Sequence, residues 1–194
     1  MPDDKRFVQL VSLACHDLRT PLATVSGFAT TLGNTELEAP TDRYIGMIEA
    51  ASAQLGELLD ELTLLVRIES GRFDPKLDSL DSLELARAAA DALDEGRVEV
   101  SGTGSTVRVP EQEMTRGLSQ LGRAASRHGG FDSVTLEVDG ETLRLSPLTR
   151  MSAQVLLGEE MRDFGALAAT ALIRALDGSV GVEGETLVVR LPTS

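Results

Sequence analysis

The sequence contains little of several residue types from which protein sites are often built. It has one cysteine, Cys15, which excludes an internal disulfide framework and a cysteine zinc cluster. Its two histidines, His16 and His128, lie far apart in the chain and argue against a histidine metal site. With no Trp, one Tyr and five Phe, the core has to be built mainly from aliphatic side chains.

The sequence also has no surplus of basic residues and no long apolar run. Its net charge of −13 would repel phosphate backbones and anionic lipid headgroups, so we expect neither a nucleic acid nor a membrane as partner. No run reaches the roughly 18 apolar residues of a membrane span. The segment "MPDDKRF" is charged and has no apolar signal-peptide region, so we expect a soluble cytoplasmic protein.

Residues 1–72 are predicted to form two long helices. Apolar residues recur at steps of three or four, which indicates one apolar stripe on each helix. Gly33, Asn34 and Pro40 are turn signals between the helices, and Thr41 or Asp42 can cap the second. The two stripes consist of Phe7, Val11, Ala14, Leu18, Leu22, Val25, Ala29 and Leu32, and of Tyr44, Ile48, Ala51, Leu55, Leu58, Leu62 and Leu65.

A single hairpin of such helices would leave part of each stripe in water. Two copies that form a four-helix bundle would bury both stripes. We therefore predict that residues 1–72 are an antiparallel helical hairpin that makes a homodimer.

Residues 73–194 have a different pattern, in which short helices alternate with short strands. Asp139-Gly140 is a strong hairpin signal, and a second turn is expected near Gly184. Gly102 and Gly104 are interpreted as a turn between two strands. The alternation predicts a two-layer α/β sandwich, and the complete chain is then an α+β protein with two domains.

The stretch "ACHDLRTPL" places a titratable ring on the first helix, away from its apolar stripe. Three of the four residues that lie three or four positions from His16 are polar, which predicts an exposed imidazole. An exposed imidazole is a competent nucleophile at neutral pH, and the neighbouring Asp17 can accept a hydrogen bond from the ring N–H. Pro21 removes the backbone hydrogen bond to the carbonyl of Asp17 and loosens the helix there.

"ACHDLRTPLATVSGF" resembles the phosphoacceptor box of bacterial two-component sensor histidine kinases, which lies on the first helix of a dimeric four-helix bundle. The match runs without a gap from His16 to Leu22. The resemblance implies that His16 is phosphorylated and that Asp17 is its acid/base neighbour. Thr20 matches the position that helps to place a water for dephosphorylation in some members. Arg19 can steer phosphate or be a solvated surface arginine, and both interpretations stay open.

The second half resembles the ATP-binding domain of that family in its order of elements but not in its nucleotide motifs. The family's magnesium-binding asparagine falls at Ala124, and the segment "PLTRMSAQ" has neither the adenine-binding Asp nor its glycines. Asp163 stands where a glycine of the phosphate-binding lid belongs and would direct a negative charge at a triphosphate. We therefore expect no ATP-binding residues, no bound cofactor and no metal site in this chain.

This combination is closest in kind to the dimeric histidine phosphotransferases. The resemblance implies a phosphorelay in which His16 exchanges a phosphoryl group with aspartates of response-regulator receiver domains, and the receiver supplies the magnesium. Thr20, Ala23 and Gly27 are predicted to contact the receiver. The alternatives are a divergent kinase that still uses ATP and a non-catalytic scaffold that binds receivers. Cys15 is interpreted as a small buried side chain, and His128 as a helix C-terminal cap.

Overall fold

The computed structural model describes residues 2–34, 41–93 and 98–193, with the backbone alone at residues 2–10, 12–14 and 17. The chain divides into two compact units, with the boundary between Arg72 and Phe73. No helix in the described parts of the chain is long and apolar enough to cross a membrane.

The N-terminal unit consists of the two predicted long helices. Helix α1 spans Pro2–Gly33 and continues through Pro21, and helix α2 spans Thr41–Glu69. The predicted turn residue Pro40 lies outside the described residues. A Cβ added at Gly33 would approach Ile45, and one added at Gly56 would approach Leu22, so the helices run antiparallel.

The buried side chains of the N-terminal unit, among those that the structure describes, are mostly small or medium-sized, with Glu61 as a buried carboxylate. Cys15 and Ala29 of α1 and Ile45, Ser52 and Val66 of α2 are buried. Seven large apolar residues of the predicted stripes lie on another face and stay exposed in the single chain. They are Leu18, Val25 and Leu32 of α1, and Tyr44, Ile48, Leu55 and Leu58 of α2.

The C-terminal unit has the predicted two-layer α/β architecture. Its main sheet has five strands in the order β2-β4-β5-β7-β6, and β1 pairs with β3 in a separate two-stranded sheet. The strands are β1 Asp78–Asp81, β2 Val98–Gly104, β3 Thr106–Val109, β4 Val134–Gly140, β5 Thr142–Ser146, β6 Ser179–Glu183 and β7 Thr186–Arg190. The helices are α3 Ser82–Asp91, α4 Glu111–Gly129, α5 Arg150–Leu157 and α6 Phe164–Ala175.

Two of the predicted hairpins are confirmed, and one turn prediction is wrong. Strands β4 and β5 meet at Gly140, and β6 and β7 meet at Gly184, both with left-handed φ angles. Gly102 and Gly104 do not form a turn, because both lie inside β2. Strand β2 also pairs parallel with β4, a long-range pairing that the local pattern does not indicate.

Candidate functional site: the His16 surface of the helical hairpin

The residues predicted around His16 lie together on one exposed face of α1. His16, Arg19, Thr20, Ala23 and Thr24 line one shallow, open concavity. All five residues are exposed. Gly27 follows Ala23 by one helical turn in the same row and is exposed as well. We name His16, Thr20, Ala23 and Gly27 the His16 row.

The His16 row is separate from the apolar faces of the hairpin. Cys15 and Ala29 point into the seam and are 3% exposed, so the prediction that Cys15 is a small buried residue is confirmed. Leu18 and Val25 point to the exposed apolar face. A macromolecular partner can therefore reach the imidazole without opening the hairpin. Asp17 lies next to His16 in α1, but its side chain is outside the described part of the structure.

Arg19 has a specific partner on the neighbouring helix. Its Nη2 donates a hydrogen bond of 2.9 Å to Oδ1 of Asp60 in α2, and about half of each side chain is exposed. The guanidinium therefore has a hydrogen-bond partner on α2 while much of the side chain stays exposed. Sequence reasoning missed Asp60, since it is 41 positions away and only the antiparallel register brings it to Arg19.

The side chain of Asp163 is enclosed at the start of α6. Its side chain is 7% exposed and forms the N-cap of α6, where Oδ1 accepts a hydrogen bond of 3.1 Å from the amide of Ala166. Its Oδ2 lies 3.1 Å from Nε2 of His128 and 3.3 Å from Nη1 of Arg127. Two groups at the end of α4 thus enclose the carboxylate at the start of α6.

His128 lies at the end of a helix, as predicted, and also contacts a residue of another helix. It lies in the last turn of α4, where a basic group favours the helix dipole. Its contact with Asp163 also links that turn to the first turn of α6.

The segment "PLTRMSAQ" is an ordered and packed part of the C-terminal unit. Thr149 caps helix α5 through a reciprocal capping box with Ser152, and Leu148 is buried. Sequence reasoning missed this helix although Thr149 and Ser152 were a usable capping signal. Ala124 is completely buried in α4, and its methyl group has no atom that could bind a metal.

An internal cavity of the C-terminal unit lies between helices α3 and α4 and the main sheet. Its lining includes Leu93, Leu118 and Leu121 from the helical layer and Leu143 and Val189 from the strands. These aliphatic side chains offer no polar group to a phosphate or a metal. The cavity therefore belongs to the hydrophobic core.

Comparison with known proteins places the fold among the histidine kinases. The full-length ShkA structure, in complex with AMPPNP, matches 96% of this chain with a TM-score of 0.67 and 19% identity, and the match covers 47% of ShkA. The histidine kinase AdeS of Acinetobacter baumannii matches 92% of this chain with a TM-score of 0.58 and 16% identity, over 98% of its own chain.

A family model matches the N-terminal unit. Residues 8–71 match the family model of the His Kinase A (phospho-acceptor) domain. The sensor histidine kinase TrcS of Mycobacterium tuberculosis is 36% identical over 84 residues, which are 42% of this chain and 16% of TrcS. The chain thus spans a small part of this curated relative. Residues 8–71 are thus similar to a histidine kinase phosphoacceptor domain, and the fold of the chain is similar to that of the two histidine kinase structures.

Proposed function

We propose that this chain is a histidine phosphotransferase of a two-component phosphorelay, in which His16 accepts and donates the phosphoryl group. The observation that carries the choice of a relay over a kinase is the placement of Asp163. The N-terminus of a helix is a favourable site for a phosphate group, because its free amides and its dipole attract anions. At α6 that position is already taken by the chain's own carboxylate.

The chemistry assigned to His16 is a reversible in-line transfer. A deprotonated ring nitrogen attacks the phosphorus of an aspartyl phosphate in a receiver domain, so that a P–N bond forms. The P–O bond to the aspartate breaks, and the carboxylate leaves. By resemblance, Asp17 accepts the remaining ring N–H and stabilises the charged imidazolium. A second receiver aspartate reverses these steps. The receiver supplies the magnesium, and this chain binds no cofactor.

The His16 row suits the approach of a receiver domain. Ala23 and Gly27 have little or no side chain, which allows close contact with another protein surface along α1. Thr20 lies one turn from His16 and can hold a water at the phosphoryl group. In the proposed dimer each protomer presents one such row, so a homodimer has two sites for receiver domains.

Incubation with a phosphorylated receiver domain from the same genome tests the proposal. We expect transfer of the label to His16 in a linkage that is acid-labile and base-stable, as a phosphoramidate is. The His16→Ala variant should lose all labelling and keep its dimer, because the ring is exposed. His128→Ala is the matched control and should be labelled normally. Labelling that survives in His16→Ala would place the site elsewhere.

A divergent kinase is the second candidate, and the sequence relationship to TrcS favours it. In that case the chain would label His16 from ATP without a receiver. A receiver-binding scaffold would bind the receiver without taking its phosphoryl group.

A further inference from the structure

We propose that Asp60 is a positioning residue for Arg19, and that the pair acts as one unit in phosphoryl transfer at His16. The inference rests on the proposed function, since it concerns the same site. The motif around His16 lies on α1 alone, and the inference gives α2 a part in the same site.

The geometry places the pair at the edge of the concavity that contains His16. Arg19 follows His16 by three residues in α1, and side chains at this spacing are neighbours on a helix surface. Asp60 is on α2 and reaches Arg19 across the two helices at 2.9 Å. The contact therefore holds the guanidinium between the His16 row and α2.

The ion pair between Arg19 and Asp60 is better suited to positioning Arg19 than to stabilising the fold. An ion pair with about half of each side chain exposed contributes little to the stability of a fold, because water and salt screen it. A long arginine side chain loses considerable rotamer freedom when it is held in place. If Asp60 already holds the Arg19 side chain in place, that entropy is not lost during the transfer step.

The hydrogen-bonding capacity of Arg19 also allows this role. A guanidinium has five N–H donors in a planar fork, and the bond to Asp60 comes from Nη2 alone. Other donors can meet the oxygens of a phosphoryl group while the contact with Asp60 persists. Arginine matches phosphate oxygens in pairs, which lysine cannot do.

A double-mutant cycle on the transfer rate tests the inference. Single-turnover transfer from a phosphorylated receiver should slow roughly fivefold in Asp60→Ala and at least as much in Arg19→Ala. The double variant should be no slower than Arg19→Ala, because Asp60 acts through Arg19. Asp60→Glu should recover most of the rate, and Glu69→Gln, a charge change elsewhere on α2, should leave it unchanged.

Two further measurements separate positioning from a structural role. The melting temperature and the affinity for the unphosphorylated receiver should stay at the wild-type values in Asp60→Ala. A normal transfer rate in Asp60→Ala, or additive losses in the double variant, would overturn the inference. Failure of the proposed function is a different result, in which the wild-type chain itself takes no label from any receiver.

Discussion

At the residue scale, side chains at the end of α4 and the start of α6 form a small network of polar contacts. Asp163 satisfies an amide of the first turn of α6 and is enclosed by His128 and Arg127. A buried carboxylate is tolerated only when charged or hydrogen-bonding partners surround it. The position is therefore a structural junction between two helices.

Removal of that junction should destabilise the C-terminal unit. Asp163→Ala deletes an N-cap and leaves two basic groups without their partner, so we expect a loss of about 2 kcal/mol of unfolding free energy. Urea denaturation followed by circular dichroism measures it. Asp132→Ala, at an exposed residue near the same end of α4, is the control and should change stability very little. An equal loss in both variants would contradict the assignment.

Gly102 is a second residue whose identity the fold dictates. Its φ is +106°, and a Cβ there would clash with the backbone carbonyl of Val138 on the neighbouring strand. Gly102→Ala should therefore cost roughly 3 kcal/mol or more. Gly181→Ala is the matched control, because Gly181 lies in β6 with open space around its Cα. Similar midpoints of thermal unfolding for the two variants would refute this account.

Among the elements, α2 has two faces with different tasks. The face that meets α1 carries Ser52 and Gly56, which allow close helix packing but bury little apolar area. The neighbouring face carries Ile48, Leu55 and Leu58, which are 41%, 53% and 38% exposed. With Leu18, Pro21 and Val25 of α1, part of this face forms an apolar groove. An exposed apolar groove of this kind fits the proposed homodimer, in which a second copy would cover it.

A charge in this groove should dissociate the dimer. Leu55→Asp would bury two unpaired carboxylates in the bundle, and desolvation makes that unfavourable. We expect light scattering to give a mass near the 20.7 kDa chain instead of twice that value. Ala53→Asp adds the same charge at an exposed position two residues away and should remain dimeric. A dimer in both variants would argue against the groove as the interface.

The whole molecule combines an exposed His16 surface with a C-terminal unit whose fold is similar to that of histidine kinases. The C-terminal core is complete within that unit, with large buried side chains that include Met114, Leu143 and Leu172. Its two-layer architecture persists although Ala124 and Asp163 occupy positions that the resemblance assigns to nucleotide contacts. Packing and nucleotide binding are separate requirements, and a sequence can keep the first without the second.

At this scale the decisive prediction concerns ATP. We expect no binding by calorimetry at millimolar ATP and magnesium, and no label on His16 from ATP alone, because a metal ligand is absent at Ala124 and a carboxylate occupies the N-terminus of α6. The same preparation should take label from a phosphorylated receiver, which serves as the positive control. Label from ATP alone would replace the relay with the divergent kinase. Receiver binding without label from either source would favour the scaffold.

The sequence by itself determined those secondary-structure elements that depend only on residues close together in the chain. Helical spacing of apolar residues predicted α1 and α2, and Asp139-Gly140 predicted the β4–β5 hairpin, since a tight turn depends on a few adjacent residues. The exposed position of His16 also followed from its neighbours along α1. Much of the candidate surface was therefore predictable from one continuous motif.

The tertiary structure decided whatever depends on residues that are distant in the chain. The parallel pairing of β2 with β4 is decided by packing of the whole unit, so Gly102 resembled a turn residue until its strand partner was known. Asp60 reaches Arg19 only through the antiparallel register of the hairpin. The contact of Asp163 with His128 likewise depends on the packing of the end of α4 against the start of α6. The physical reason is the same in each case: electrostatic and steric contacts act through space, and only the fold sets those distances.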